Sequence, residues 1–358
     1  MTTGTVLDAA PQVSAALPSL TVRADAASPG DWTQFTASAD SDGWNPLFSS
    51  QVWADYFARW AGCAPRFVSV HAADGERLAA WLVFVADLAV FRRGWKRAAC
   101  RALNGLAREA TWFAPPVLRG PGDAAVVGRV LAGWLQRAAA ETPLVYVAGG
   151  PWLSGAALSL RAEVWATYVV DCQRSDEELW HRLKHSAKKA IRKAQERGVM
   201  VRRIQSNNEL TSYVRFAERA ARHSGRTLTG HPDVLMAWDC LRPQAYLEFF
   251  VAELGGECVS GLGVRGQGAW ISEFGSYQSV RDRTERLNAQ DAIKWEVIRW
   301  ARYCGIRYFD LAGVNPEPTT AKEAGIRQFK AKWGGRYVEF PVVPCQWLTP
   351  WSPRPFRT

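Results

Sequence analysis

The sequence predicts an α+β protein made of two similar halves. A helix, antiparallel strands, a second helix and a further strand follow one another twice along the 358 residues. That length also suits about two domains. Hydrophobic residues make up 48% of the chain and charged residues 22%. This balance is typical of globular proteins and excludes a mainly disordered chain.

In the first half, the predicted elements follow from apolar spacing and turn residues. A helix is predicted over SSQVWADYFARWAG, with Val52, Tyr56 and Trp60 on one face. Two strands flank the Asp74-Gly75 turn. A second helix, AAVVGRVLAGWLQRAAAE, precedes the short buried strand LVYVAG. Residues 1–20 lack a basic region before an apolar core, so we expect a flexible lead-in there and no secretory signal.

The second half repeats this order of elements. A helix over ELTSYVRFAERAARHSG ends at Gly225 and is followed by the strands LEFFVAEL, ECVSGLGVRG and AWISEFGSY. Next, QDAIKWEVIRWARYCG has apolar residues at helical spacing up to Cys304, which is predicted to lie in the core. Gly305 is the expected C-cap of that helix, and the strand IRYFDLAG follows it.

A basic helix is predicted between the halves. Ser175 and Glu178 form a capping box at its start, and Gly198 closes it. One apolar stripe should face the core: Trp180, Leu183, Ala187, Ile191 and Ala194. The other faces carry Arg182, Lys184, Lys188, Lys189, Arg192, Lys193 and Arg197. Such a face is either solvated or a surface for the phosphates of RNA or a nucleotide.

Charge and cysteine usage narrow the class of partner and compartment. The net charge is +10, and the pI of about 9.4 favours an anionic partner. Seven scattered cysteines without a CxxC pair predict neither a disulfide framework nor a zinc site, and fit a reduced cytoplasm. The longest apolar stretch, 78–91, is too short to span a bilayer. The basic residues 91–108 predict either an amphipathic surface helix or a segment at the inner face of a membrane.

Common catalytic signatures are absent from the sequence. It contains no GxGxxG, GxxxxGK[ST], HExxH or GxSxG motif. The five histidines are not spaced as metal ligands, so no metal site is predicted.

The last third carries the most informative pattern. A tryptophan-containing helix is followed by a G-x-x-x-F-D-x-x-G run ending at Gly313 and, after a loop, by G-I-x-x-F-K-x-x-W-G over residues 325–334. The basic helix closes on RKAQERGVMV. In these features the chain resembles the Fem family of non-ribosomal peptidyltransferases, which add amino acids from aminoacyl-tRNA to peptidoglycan precursors. The likeness covers most of residues 175–340 and matches the first half in outline.

The resemblance implies two tandem domains of the GCN5-related acetyltransferase (GNAT) fold, without a coiled-coil arm. The first would span residues 21–170 and be completed by residues 337–358; the second would span 171–336. It implies an aminoacyltransferase that forms an amide with an amine of a peptidoglycan precursor or related peptide. The co-substrate would be aminoacyl-tRNA, with no other cofactor. The acceptor would be a nucleotide- or lipid-linked peptide or another amine, and we expect a monomer, with peripheral membrane contact as an open alternative.

The resemblance also assigns candidate residues to the donor side. Lys330, at the F-K position, could stabilise the oxyanion formed when the ester carbonyl is attacked, or hold a phosphate of the terminal adenosine. Phe329 would pack in the core or stack on the adenine. Asp310, at a strand end, would orient a loop or assist catalysis. The tRNA acceptor stem would contact Lys188, Lys189, Arg192 and Lys193.

The acceptor side departs from the family pattern. In RTLTGHPDVL, His231 stands where an arginine is typical and Leu235 where a tyrosine is. Glu273 replaces a frequent tyrosine. It would be either a base for the attacking ammonium or a structural residue, facing solvent on its strand or pairing with Arg281 or Arg286. The acceptor-binding candidates are Thr229, His231, Arg281 and Arg286.

Two other functions stay open at this stage. One is an acyl-CoA- or acyl-carrier-dependent N-acyltransferase of the same fold, although the loop beginning at Arg286 lacks the small residues of a pyrophosphate loop. The other is a non-catalytic RNA- or membrane-binding protein, which depends on the basic helices alone.

Overall fold

The computed structural model of the chain describes residues 20–38, 44–87, 107–140, 144–153, 162–225 and 234–348. This described part contains ten α-helices: α1 (Trp32–Ser38), α2 (Gln51–Ala61), α3 (Ala124–Ala140), α4 (Asp176–Arg182), α5 (His185–Glu196), α6 (Asn207–His223), α7 (Val234–Leu241), α8 (Val280–Thr284), α9 (Ala289–Tyr303) and α10 (Ala321–Lys330). Its strands are β1 (Thr21–Asp25), β2 (Ala64–His71), β3 (Arg77–Asp87), β4 (Ala107–Thr111), β5 (Val117–Leu118), β6 (Leu144–Pro151), β7 (Glu163–Asp171), β8 (Met200–Arg203), β9 (Leu247–Leu254), β10 (Glu257–Gln267), β11 (Trp270–Gln278), β12 (Tyr308–Asp310), β13 (Arg336–Val343) and β14 (Gln346–Leu348).

The strands join into a single 14-stranded sheet in the order β1-β2-β3-β4-β6-β13-β7-β12-β11-β10-β9-β8. Strand β14 pairs with β6, and β5 pairs with β3. The described pairings are antiparallel except for two, β4 with β6 and β11 with β12. Strand β13 lies between the halves, pairing with β7 along its length and with the end of β6.

The two parallel pairs confirm that the chain repeats one topology. In the first half, β4 follows an antiparallel meander, and a connection containing α3 leads to its parallel partner β6. In the second half, β11 follows a meander and α9 leads to β12 in the same way. The predicted α+β class with duplicated halves is therefore confirmed. No described helix exceeds 17 residues, so this part of the chain contains no coiled-coil arm.

Three apolar clusters fill the space between helices and sheet. The central one combines side chains of both halves, including Trp53 of α2 and Tyr213 of α6. A second lies under α4, α5 and α9 and contains Ile191, whose burial contributes about 1.5–3 kcal/mol. A third lies under α3 and contains Trp81. The central cluster joins the halves, and the candidate site lies beside it.

The predicted single basic helix is wrong, because the chain forms two helices there. Ser175 and Glu178 make the predicted capping box on α4, but Leu183 and Lys184 adopt extended backbone conformations between α4 and α5. The Lys184 N–H donates to the carbonyl of Lys332 at 3.0 Å. Gly334, at φ 73°, approaches the Arg182 carbonyl so closely that a Cβ would lie 2.7 Å from it. The 331–335 turn therefore packs into the break between the helices.

Other predictions are corrected or lie outside the described residues. Cys304 is exposed, because it is the C-cap of α9 and the apolar stripe ends before it. The lead-in up to residue 19 and nearly all of the basic segment 91–108 are outside the described part. Within the described residues, none of the helices is long and apolar enough to cross a membrane.

Candidate active site

A single row of residues crosses five neighbouring strands at the junction of the halves. Cross-strand partners connect Arg265 to Ser272, Ser272 to Asp310, Asp310 to Val169, and Val169 to Arg336. Four strand spacings of about 4.8 Å make this row roughly 19 Å long. It has an arginine at each end and a carboxylate at its centre.

A cavity of about 380 Å³ lies over this row. The parallel pairing of β11 and β12 ends at Ser272 and Asp310, while β11 continues to Gln278 paired only with β10. The two strands therefore separate above Asp310. The walls come from both halves, with Trp44, Phe48 and Phe113 from the first. A volume of this size is in the range of small-molecule sites.

Asp310 is held by three neighbouring groups. The Ala312 N–H donates to its Oδ1 at 2.9 Å, the Ser272 hydroxyl lies 3.4 Å from Oδ2, and Thr167 Oγ1 lies 2.5 Å from Oδ1. Thr167 Oγ1 is also 2.8 Å from the Ala312 carbonyl. One hydroxyl hydrogen cannot serve both acceptors at once, so Thr167 donates either to the Asp310 carboxylate or to the Ala312 carbonyl. Burial raises the pKa of Asp310, although these hydrogen bonds and Lys330 oppose the shift.

Lys330, at the end of α10, contacts the turn at Ala312 and Gly313 that follows Asp310. Its Nζ donates to the carbonyls of Ala312 and Gly313 at 3.1 Å each, which leaves one of its three hydrogens. Burial lowers the pKa of Lys330 to about 8, and Asp310 opposes that shift. The ammonium is therefore still largely protonated at pH 7. Thr320 and Glu323 form the capping box that starts α10.

The turn at Ala312, which both Asp310 and Lys330 contact, is in an unusual backbone conformation. Ala312 has φ 62°, a region that residues other than glycine seldom adopt. Its N–H binds Asp310, and its carbonyl accepts from Lys330 and lies within reach of the Thr167 hydroxyl. These contacts hold the strained turn and fix the relative position of the carboxylate and the ammonium.

Glu273 lines the cavity but has a different partner from those predicted. Its carboxylate forms a buried ion pair with Lys294 of α9, whose side chain is 2% exposed. Neither Arg281 nor Arg286 pairs with it, so that structural alternative is wrong. Burial, with Lys330 and Lys332 nearby, lowers the pKa of Lys294. A role for Glu273 as base stays a prediction.

Phe329 packs against the apolar cluster under α9. Its ring lies 6.0 Å from that of Trp333, and the Lys332 ammonium lies 4.1 Å from its centroid. Lys332 itself pairs with the buried Asp291. The packing alternative predicted for Phe329 is therefore what the structure contains, and stacking on an adenine stays a prediction.

The four basic residues predicted for tRNA lie on α5. Lys189 and Arg192 are exposed, whereas Lys188 and Lys193 are half-buried. Lys188 Nζ donates to the His181 carbonyl at 3.1 Å, and the Arg192 guanidinium lies 5.6 Å from the centre of the Trp180 ring. Lys189 is thus the residue of this face most open to a phosphate.

The predicted acceptor residues do not assemble at the cavity. Arg281 donates to Glu257 at 2.7 Å and to Glu285 at 3.0 Å, beside a separate groove between α6 and α8. Arg286 is exposed with φ 53° in the loop before α9. Thr229 and His231 lie outside the described residues.

A basic pocket adjoins the cavity and was not predicted as a unit. It has a volume of about 430 Å³ and shares Val169 and Arg336 with the cavity. Its charged lining is Asp171, Arg174, Arg182, Arg307 and Arg336. Arg174 Nε lies 3.7 Å from Asp171 Oδ2. Because Asp171 offsets only one of the four arginines, the pocket has an excess of positive charge. Its arginines are scattered over 163 positions, from 174 to 336, and spacing gives no signal for them.

In the acyl-CoA-dependent alternative, the resemblance implies a pyrophosphate at the loop after Arg286 and the N-terminus of α9. Here the Ala289 N–H donates to the buried Asp282 carboxylate at 3.1 Å. The next side chain, Gln290, donates to Ser260 and to two backbone carbonyls. Asp282 thus occupies part of the place where an external anion would bind at the N-terminus of this helix. No cluster suited to a metal ion occurs among the described residues.

Comparison with known proteins identifies the fold. A family model described as an acetyltransferase (GNAT) domain matches residues 181–330. No curated protein matches the chain significantly. A crystal structure of FemX is similar over 89% of this chain and 96% of that one, with a TM-score of 0.62 and 13% identity.

Two further solved structures are similar over most of their length. The C-terminal domain of an Agrobacterium fabrum protein described as a lysylphosphatidylglycerol synthetase has a TM-score of 0.53 and 12% identity, over 87% of this chain and 91% of that one. L-PGS from Bacillus licheniformis has a TM-score of 0.50 and 12% identity, over 88% and 91%. The fold is therefore a Fem-like tandem of two GNAT-like domains, as the motifs predicted, and the matched model indicates an acyltransferase.

Proposed function

We propose that the chain is an aminoacyl-tRNA-dependent transferase that forms an amide between an amino acid and the amine of a peptidoglycan precursor or related peptide. The proposal depends mainly on the position of Lys330. Its ammonium is held next to Asp310 at the junction of the halves, at the F-K position of the Fem-like motif.

The reaction would use this arrangement as follows. The neutral amine of the acceptor attacks the ester carbonyl of the aminoacyl-tRNA, and a tetrahedral oxyanion forms. The remaining Lys330 hydrogen stabilises that negative charge at low solvent exposure. The intermediate then expels the ribose oxygen, and the proton lost by the amine passes to that oxygen. Asp310 holds the turn that positions Lys330.

Charge near the cavity supports a polyanionic donor. The basic pocket opens beside Arg336, at one end of the residue row, and α5 presents Lys189 and Arg192 to solvent. Arginine binds phosphate through paired hydrogen bonds. We therefore place the terminal phosphates of the tRNA at the basic pocket, so that the ester reaches Asp310 and Lys330 from the Arg336 end.

The acyl-CoA-dependent alternative rests on the acetyltransferase model that matches residues 181–330. Against it stands the start of α9, where Asp282 already accepts the Ala289 N–H. A bound pyrophosphate would lie next to that carboxylate, and the repulsion would weaken CoA binding.

A binding experiment separates the two donors. The purified protein is titrated with charged tRNA, with the same tRNA uncharged, and with acetyl-CoA, each at two salt concentrations. We expect salt-sensitive binding that is tightest for charged tRNA, with weak CoA binding. Tight CoA binding with no preference for charged tRNA would contradict the proposal and favour an acyl-CoA enzyme.

A further inference from the structure

Arg265 is a half-buried cation without an acidic partner. Its guanidinium lies 4.5 Å from the ring centre of Phe274, 4.8 Å from that of Trp53 and 5.1 Å from that of Phe48. Its Nε is buried and has no hydrogen-bond partner. In the described ranges, none of the carboxylates forms an ion pair with it. The guanidinium therefore lies in an aromatic enclosure at the wall of the cavity.

The neighbouring buried cations are satisfied in another way. Lys294 pairs with Glu273, Lys332 pairs with Asp291, and Lys330 donates to two carbonyls. Burial lowers the pKa of Arg265 to about 10, which leaves it protonated at neutral pH. Aromatic rings offset part of the cost of burying a charge, but an anion offsets far more. The uncompensated charge thus indicates a binding position for an anionic group.

The position of Arg265 relates that ligand to the reacting groups. Arg265 and Asp310 are two strands apart in the same row, which is roughly 10 Å. Between them lies Ser272, whose hydroxyl accepts a hydrogen bond from Asn45 Nδ2 at 3.1 Å. The same amide nitrogen donates to the Arg265 carbonyl at 3.0 Å. Asn45 of the first half therefore holds the Arg265 strand at the cavity.

The chemistry of the enclosure favours a carboxylate. A single guanidinium carries one charge and a planar fork of donors, which matches a planar monoanion. A phosphate monoester at neutral pH carries nearly two charges and suits the several arginines of the basic pocket better. The groups that surround the guanidinium are the rings of Phe48, Trp53 and Phe274, which suits a ligand with little further charge at that end.

We propose that Arg265 binds a carboxylate of the amine acceptor, so that the acceptor is an amino acid or peptide with a free carboxylate. The assignment to the acceptor rests on the proposed function, because the α-carboxyl group of the donor amino acid is esterified and therefore not free. The amine would then lie at Asp310 and Lys330, and the carboxylate at the opposite end of the row from the basic pocket.

The test uses the full chain, N-acetyl-alanyl-alanine, its C-terminal amide and inorganic phosphate, followed by calorimetry. We expect the acid to bind at least about tenfold more tightly than the amide. Arg265→Gln should remove that difference. Arg242→Gln is the matched control, since this arginine also lies over a tryptophan, 4.3 Å from the Trp238 ring, but outside the cavity.

Three results would overturn the carboxylate site. The acid could bind no more tightly than the amide, Arg265→Gln could bind both as the natural chain does, or phosphate could bind through Arg265 in preference to the acid. The last result would replace the carboxylate with a phosphate. None of these measurements includes tRNA, so failure of the proposed function, seen as absent binding of charged tRNA, is distinguishable from failure of the carboxylate site. Thermal unfolding of Arg265→Gln checks folding, and removal of an uncompensated charge should not lower its midpoint.

Discussion

The Ser272 hydroxyl lies 3.4 Å from the Asp310 carboxylate, at the last residue pair before β11 and β12 separate. Because Asn45 donates to the same hydroxyl, one serine connects a loop of the first half to the central carboxylate of the second. A shift between the halves would therefore change the surroundings of Asp310 directly. The cavity, the strained turn at Ala312 and Lys330 all depend on this junction.

Asp310→Asn tests the coupling between the carboxylate and the lysine. Asp310 raises the pKa of Lys330 against the effect of burial. A neutral amide of the same shape would remove that support, so the pKa of Lys330 should fall below about 8. The alkaline fall in kcat/KM should then move to lower pH. A pH–rate profile measures this, and an unchanged alkaline limb would show that the two groups are not coupled.

Lys330→Met tests the role of the ammonium itself. If the charge stabilises the oxyanion, turnover should fall on the order of 10²–10³-fold. In the natural chain kcat/KM should decline above pH 8, because the ammonium then loses its proton. Deprotonation of the acceptor amine would act in the opposite direction. Lys322→Met is the control. Lys322 is exposed on the same helix, so this variant should keep the turnover of the natural chain. Full activity of Lys330→Met would contradict the assigned role.

Glu273→Gln separates a structural role from a role as base. It would leave Lys294 buried without its partner, which should cost about 3–5 kcal/mol of unfolding free energy. This loss of unfolding free energy should become smaller as pH rises. Burial lowers the pKa of Lys294 in the folded state, so the unfolded chain binds more protons and higher pH favours the folded state. Replacing both residues with methionine should restore much of the stability.

Denaturant unfolding at several pH values measures these changes. Arg281→Gln breaks two surface ion pairs, with Glu257 and Glu285, and should change the unfolding free energy by less than about 1 kcal/mol. Normal stability of Glu273→Gln together with lost activity would contradict the structural role and favour the base.

The sequence was sufficient for elements and motifs but not for pairings between distant residues. Local spacing predicted the helix that carries Lys294 and the capping box at Ser175, because both depend on residues a few positions apart. The Fem-like motif predicted Lys330 and Asp310 as candidates. The ion pair of Glu273 with Lys294 could not be predicted, since it joins a strand to a helix 21 positions later.

Strand register explains why Arg265 was missed. In the sequence it is one arginine in a glycine-rich strand, and nothing local distinguishes it from a solvated residue. It faces Ser272 across the β10–β11 hairpin, but its place relative to Asp310 and Arg336 depends on the order of five strands from both halves. The basic pocket was missed for the same reason. The break at Leu183 depends on the close approach of Gly334, which local helix propensity does not contain.

Two basic surfaces, the basic pocket and the exposed face of α5, are candidates for binding the tRNA phosphates. If tRNA phosphates lie in the basic pocket, Arg307→Gln and Arg182→Gln should each weaken tRNA binding and reduce the slope of log affinity against log salt by about 0.7–1. Charge reversal at Lys189 and Arg192 should do the same if α5 extends that surface. Arg299→Gln is the control, because Arg299 is an exposed arginine that pairs with Glu296 at 3.2 Å. An effect confined to the α5 variants would move the donor from the pocket to the helix face. Unaltered slopes in both sets would leave the basic residues as solvated charge and remove the electrostatic support for a tRNA donor.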